Sequence, residues 1–243
     1  MTAGEPSILE LRQVRKTYGG LRPLRVEALR LQAGQSVAIL NVDATAVEVL
    51  VDLVTGTALP DEGEVELFGR STAEIRDGDE WLGLLERFGI VSARVVLLDR
   101  MSVVQNLAMP FTLELEPIPP PLADQARRLG AEVGLTGPVL DAPAGAVSPE
   151  ARARLRLARA IALDPRLLLL EHPTVGLPRD AVDRLATDVR RIAAERRLSV
   201  LVLTGDRPFA DAAAGDVLTL RPATGELARA GGWGRWFSRS SSS

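Results

Sequence analysis

Residue types able to do chemistry are scarce in this chain, and each therefore has one address. The 243 residues include a single histidine, His172, a single lysine, Lys16, and no cysteine. Thiolate nucleophiles, disulfide frameworks and cysteine-based zinc or iron–sulfur sites are excluded, and a histidine-rich metal centre has no ligands. A histidine base has to be His172, which follows Glu171 at the end of the apolar run Leu167–Leu170. At that position an imidazole can take a proton from a nucleophile. An amine that attracts phosphate has to be Lys16, beside the Tyr18-Gly19-Gly20 turn. Two more constellations open helices. Thr45-Ala46-Val47-Glu48 has the S/T-x-x-E spacing of a capping box, in which Thr45 accepts from the Glu48 N–H and the Glu48 carboxylate reaches back to the Thr45 N–H. Ser148-Pro149-Glu150 puts a hydroxyl at an N-cap, a proline at N1 and an acid in the first turn.

The elements that must carry these residues follow from periodicity. Ile8–Val14 and Leu24–Leu31 read as antiparallel strands across the tyrosine turn, and Ser36–Leu40 as a buried strand. Val47, Leu50, Val51 and Val54 recur at helical spacing before Gly56. Glu64–Phe68 alternates as a strand, and a helix around Trp81–Arg87 precedes a strand at Gly89–Val91. Pro117, Pro119, Pro120 and Pro121 break a mixed region that ends at a helix over Leu122–Val133. Pro149–Leu163 and the stretch from Val182 to Ile192 are helical, and they alternate with strands at Leu167–Leu170 and Leu198–Leu203. Such alternation predicts a largely parallel sheet covered on both faces.

Composition bounds the partners. With 46% hydrophobic and 25% charged residues the chain can bury a sizeable core, and a net charge of −3 offers no global attraction for nucleic acid or an anionic membrane. No apolar stretch approaches the ~18–20 residues of a membrane span. Residues 1–20 carry charge and no apolar h-region, so the expectation is a cytoplasmic chain without a leader. Arg152, Arg156 and Arg159 share a helix face that reads as a solvated surface interleaved with acids. The end, residues 231–243, is expected to be flexible, with Trp233, Trp236 and Phe237 available for a partner or a membrane interface.

In order and spacing, several segments resemble the nucleotide-binding domain of ABC transporters over nearly the whole chain. They are Thr17-Tyr18-Gly19-Gly20, Asp61-Glu62-Gly63-Glu64-Val65, Asn106-Leu107-Ala108, Ala158-Arg159-Ala160, Pro165 through Leu170, and Pro173-Thr174-Val175-Gly176-Leu177. The resemblance implies an α/β fold of the ABC-type P-loop NTPase kind: a mostly parallel core sheet, an antiparallel β subdomain and a helical insertion near residues 94–150, all within residues 1–230.

The resemblance also locates where nucleotide chemistry is done, and the residues there differ from the family's. The phosphate loop falls at Asn41 through Val49 and holds no glycine, with Val47 at the lysine position and Glu48 at the magnesium-ligand hydroxyl. Asp43 and Glu48 would face a triphosphate, and one like-charge contact at ~4 Å costs roughly 1–4 kcal/mol. The signature that acts on a partner's nucleotide becomes Val147-Ser148-Pro149-Glu150-Ala151, of which Ser148 remains. The acidic pair after the Walker B strand is Glu171-His172, the nucleotide-sensing glutamine is Ala93, the switch histidine is Gly205, and the dimer-loop aspartate is Pro178, with Asp180 close by. Tyr18 matches the aromatic that stacks on adenine. No catalytic set is intact; Glu171 and His172 are the residual candidates, Glu171 also for magnesium, and Tyr18, Thr45, Glu48 and Ser148 for nucleotide. The expectation is an ATPase-like subunit of an ABC-type transport system that binds ATP and magnesium weakly if at all, dimerises, and supports a permease or a competent paralogue. The alternative is a weak or unconventional ATPase using Glu171 and His172.

Overall fold

Four consecutive leucines explain the layering of the molecule. In the computed structural model, which describes residues 7–20, 22–75 and 77–229, Leu167–Leu170 lie in a strand whose successive side chains point to opposite faces. Leu167 and Leu169 enter one hydrophobic core, and Leu168 and Leu170 enter the other. The sheet that holds them is therefore buried on both sides, which is why its strands are continuous apolar runs and not alternating ones.

The chain begins with strands β1 (Ser7–Lys16) and β2 (Leu24–Gln32), antiparallel as expected, then β3 (Ser36–Leu40) and helix α1 (Ala44–Val54). Strands β4 (Glu62–Leu67) and β5 (Arg70–Ser71), helix α2 (Gly78–Leu85) and strand β6 (Phe88–Val91) follow. Next come the helices α3 (Val103–Ala108), α4 (Pro120–Glu132) and α5 (Pro149–Ile161). The last part is β7 (Leu167–Glu171), α6 (Arg179–Arg196), β8 (Ser199–Leu203), α7 (Arg207–Ala213), β9 (Asp216–Arg221) and β10 (Glu226–Arg229).

Two sheets result. One is antiparallel, in the order β2-β1-β4-β5; the other runs β10-β9-β3-β8-β7-β6, parallel throughout except for the β10 edge. Helix α1 lies between them, and Ala46, Val47, Leu50, Val51, Leu53 and Val54 all enter the core shared by the two sheets. The far face of the parallel sheet packs on α3 to α7. The expected α/β architecture with an antiparallel part is the one found.

Several elements escaped the sequence reading. Helix α3 is short, but it carries a complete capping box: Ser102 Oγ accepts from the Gln105 N–H at 3.2 Å and Gln105 Oε1 accepts from the Ser102 N–H at 2.8 Å. Strands β9 and β10 and helix α7 were also unassigned, being brief or lacking periodic runs. The aromatic residues Trp233, Trp236 and Phe237, and the segment 231–243, lie outside the described residues.

Candidate functional site

Parallel strands deliver their following loops to one edge of the sheet, the place where open α/β folds bind ligands. Here that edge collects the Asn41–Asp43 turn after β3, the Ser92–Val95 turn after β6, Glu171 and His172 after β7, and Thr204–Asp206 after β8.

The β3 turn and the start of α1 depart from the capping box proposed for Thr45 and Glu48. The N-cap is Asp43, two residues earlier; its Oδ1 accepts from the Ala46 N–H at 2.9 Å, and its carbonyl accepts the first helical bond, from the Val47 N–H, at 2.9 Å. Thr45 and Glu48 are instead exposed residues of the first turns. Aspartate and threonine are both good caps, and packing decides between them. Starting at Ala44 turns Val47 wholly into the core. The left-handed turn that glycine would supply is retained by Asn41, φ 64°, whose amide donates to the Leu220 carbonyl at 2.8 Å. Asparagine tolerates this conformation better than most residues.

Tyr18 faces this turn. It lines a cavity of about 440 Å³ with Asp43, Thr45, Asn41, Arg22 and Arg25. Burial, and then the Asp43 carboxylate, raise its phenol above the ordinary tyrosine value. Lys16 is engaged elsewhere, with Nζ 3.0 Å from Asp61 Oδ1.

Beyond the first turn of α1 lies a compact charge cluster. Glu171, only 6% exposed at the end of β7, accepts from Arg94 Nη2 at 2.7 Å and from Arg94 Nε at 3.2 Å. Arg94 is aimed by a tight turn in which its own N–H donates to Ser92 Oγ at 3.0 Å. The Glu171 hydrogen bond raises the Arg94 guanidinium above its usual value, burial opposes this, and Glu48 and Asp52 add to it. Burial raises the Asp52 carboxyl, with Arg94 pulling it down and Glu48 and Glu171 pushing it up. The carboxylate considered for magnesium thus already carries an internal cation. Among the described residues no group of three or more acids and histidines is placed to hold a metal ion.

At the start of α5 the expected cap forms: Ser148 Oγ accepts from the Ala151 N–H at 3.2 Å. Glu150 turns to its own chain, pairing with Arg184 of α6 through both oxygens at 2.9 and 2.7 Å. Arg184 is the main cause of the lowered Glu150 carboxyl value.

His172 looks away from Glu171. Its backbone is left-handed, φ 41°, its N–H donates to the Leu203 carbonyl at 2.9 Å, and its Nε2 is sealed without a hydrogen-bond partner. Its side chain lines a separate cavity, of about 330 Å³, with Arg152 and Arg156 of α5. The arginine face of α5 is therefore not simply solvated. Arg152 is held by Asp99 and by the Ala144 carbonyl, each at 2.7 Å, and Arg159 donates to the Val96 carbonyl at 2.8 Å. Burial lowers the guanidinium values of both Arg156 and Arg159.

So the fold brings Tyr18 together with Asp43 and Thr45, and both Glu48 and Glu171 within electrostatic reach of Arg94; His172 and Ser148 stand apart from both. Arg94 and Asp52 were missed by sequence reasoning. Asp52 carried a signal, four residues beyond Glu48 on one helix face. Arg94 adjoins Ala93, the position matched to the sensing glutamine, but nothing local pointed it at Glu171.

The ABC transporter family matches residues 29–175, more than half of the chain. The chain belongs to that family. The sulfate/thiosulfate import ATP-binding protein CysA of Rhodopseudomonas palustris is 28% identical over 204 residues, covering 82% of this chain and 56% of its own length. The chain thus spans little more than half of that relative. The lipoprotein-releasing system ATP-binding protein LolD of Chromohalobacter salexigens is 29% identical over 180 residues, or 73% of this chain and 74% of its own. In fold, the chain superposes on cbiO1 of Clostridium perfringens, part of the ABC transporter complex cbiONQ, with a TM-score of 0.76 at 19% identity, covering 92% and 87% of the two chains. No helix among the described residues is long and apolar enough to cross a membrane.

Proposed function

We propose that this ABC family member is a non-catalytic, ATPase-like subunit of a transport system, acting structurally or as a regulator beside a permease or a competent paralogue at the cytoplasmic face of a membrane. The observation that carries the reading is that the phosphate-handling edge is satisfied from within. Val47, at the lysine position, is core; the Asp43 carboxylate takes an N–H of the helix end that would face phosphate; Glu171 is bound to Arg94. A helix N-terminus attracts anions through free N–H groups, and an aspartate cap removes one and adds a negative charge. These residues do not fit a magnesium–triphosphate, so no hydrolytic step is derived through them. The names of the relatives, import and release ATP-binding proteins, support a transport setting.

Calorimetry of the purified full chain with ATP and magnesium tests this. The expected result is no saturable binding in the micromolar range. Micromolar binding, or ATP turnover abolished by His172→Ala, would establish the unconventional ATPase instead. Copurification with a permease is expected under the transport reading; association with an ATPase alone would point to a soluble regulator.

A further inference from the structure

The cavity around His172 is separate from the Tyr18 cavity, although Ala93, Val147 and Pro149, at positions matched above to the sensing glutamine and the signature, also line it. It lies between α5 and the loop 172–177 and is lined by Ser92, Arg152, Arg156 and His172, with apolar walls that include Val91 and Leu177. No acid is among its lining residues. Two of its polar groups are anomalous. Arg156 forms no hydrogen bond or ion pair with any described residue, and its Nε is sealed from solvent without a partner. The His172 Nε2 is in the same condition. Arg152 makes both of its contacts through Nη1 alone, to Asp99 and to the Ala144 carbonyl, which leaves its other terminal nitrogen unengaged.

A half-buried guanidinium beside a second one, without a carboxylate of its own, is an unfavourable arrangement in a closed chain. Buried charges in folded proteins are paired, and unmade hydrogen bonds of charged groups carry the full desolvation penalty. Arg156 feels both: burial, and next the like charge of Arg152, depress its guanidinium value, with Asp99 only partly opposing. The fork geometry of arginine matches planar and tetrahedral oxyanions. The His172 backbone, held in a region that few side chains adopt, keeps the imidazole against this cavity.

We propose that this cavity binds a small oxyanion, with inorganic phosphate or sulfate as its simplest form, held by Arg156 and Arg152 with His172 as a further lining group. The inference does not rest on whether nucleotide binds near Tyr18, since the two cavities share no lining residue.

The test is a titration of the full chain, labelled with ¹⁵N-arginine, with sodium phosphate and separately with sodium sulfate, against sodium chloride at matched ionic strength and constant pH. One Nε–Hε resonance, assigned to Arg156 by its loss in Arg156→Gln, is expected to shift saturably with the oxyanions and not with chloride. Calorimetric affinity for phosphate is expected to fall by roughly tenfold or more in Arg156→Gln, the value of a charge-assisted hydrogen bond. Because that change also alters packing, Arg156→Lys is measured beside it; it keeps the charge, loses the planar fork, and should bind more weakly than the parent. Arg207→Gln, on the exposed face of α7, should leave the affinity unchanged. A response that chloride reproduces, that survives Arg156→Gln, or that is equal in Arg156→Lys overturns the proposal. ATP binding, whichever way it comes out, bears on the previous reading and not on this one.

Discussion

Two half-sunk arginines near the end of β7 live under opposite conditions. Arg94 holds Glu171 and senses Glu48 and Asp52 besides, so that one cation serves three acids. Arg156, across the chain from it, has no acid to itself and a second arginine for a neighbour. The two environments meet at Glu171 and His172, the last residue of β7 and a left-handed residue after it, φ 41°, and at Ser92, which lines the cavity and accepts from the Arg94 N–H. A net charge of −3 conceals this division completely. What it teaches is that clustered acids sharing one cation and an arginine without an acid of its own are separate facts at separate places.

The harshest way to break the comparison is to place an amine on the acid-rich side. Val47→Lys should destabilise the fold by roughly 3–5 kcal/mol, since it forces an ammonium into a fully buried core position. It should not create ATP binding. Denaturant unfolding with calorimetry reads both, and a stable, ATP-binding variant would show that the acid-rich side is one substitution from a phosphate site.

Removing the internal cation comes next. Arg94→Ala leaves Glu171 buried without its partner; because the arginine side chain is 48% exposed, solvent screening limits the expected loss to about 1–3 kcal/mol. Arg94→Ala combined with Glu171→Gln should recover much of that loss, and an unrecovered double variant would mean that packing and not charge was being measured.

On the other side the sign should reverse. Arg156→Met, in buffer free of phosphate and sulfate, is expected to be neutral or to stabilise by up to ~1 kcal/mol, because an apolar stem of similar length replaces an unpaired guanidinium. A clear loss of melting temperature would mean that Arg156 is satisfied in a way its surroundings do not reveal.

The smallest expected effect is Asp52→Asn. The folded Asp52 carboxyl is raised above its ordinary value, so ionisation opposes folding: its contribution is most favourable below the ordinary aspartate value and is lost as pH rises. The variant should therefore melt slightly higher than the parent near neutrality, with the difference disappearing in acid. A difference that persists in acid would remove Asp52 from the charge cluster.

Much of the fold was legible because its longest elements carry unmistakable periods. The β7 leucines and the α6 stripe of Val182, Leu185, Ala186, Val189 and Ile192 could hardly be anything else. The start of α1 was misread at the scale of two residues. Asp43 is the better cap of the two, and the start it sets goes with a Val47 that is wholly in the core. The capping box at Ser102–Gln105 was present in the sequence and passed unnoticed among the prolines and short runs around it. At the candidate site, the absences were readable: no loop glycine, no lysine at position 47. The partners that the charged residues there take were not.

Residue types alone established that one lysine and one histidine bound the available chemistry and that apolar runs build a sheet covered on two faces. Those conclusions depend only on composition and local spacing, which do not change on folding. The pairing of Arg94 with Glu171, 77 residues apart, the engagement of Glu150 by Arg184, 34 residues away, and the isolation of Arg156 were decided only by tertiary structure. The reason is that a charge takes its meaning from the few ångströms around it, and those ångströms are filled by residues the local sequence does not contain.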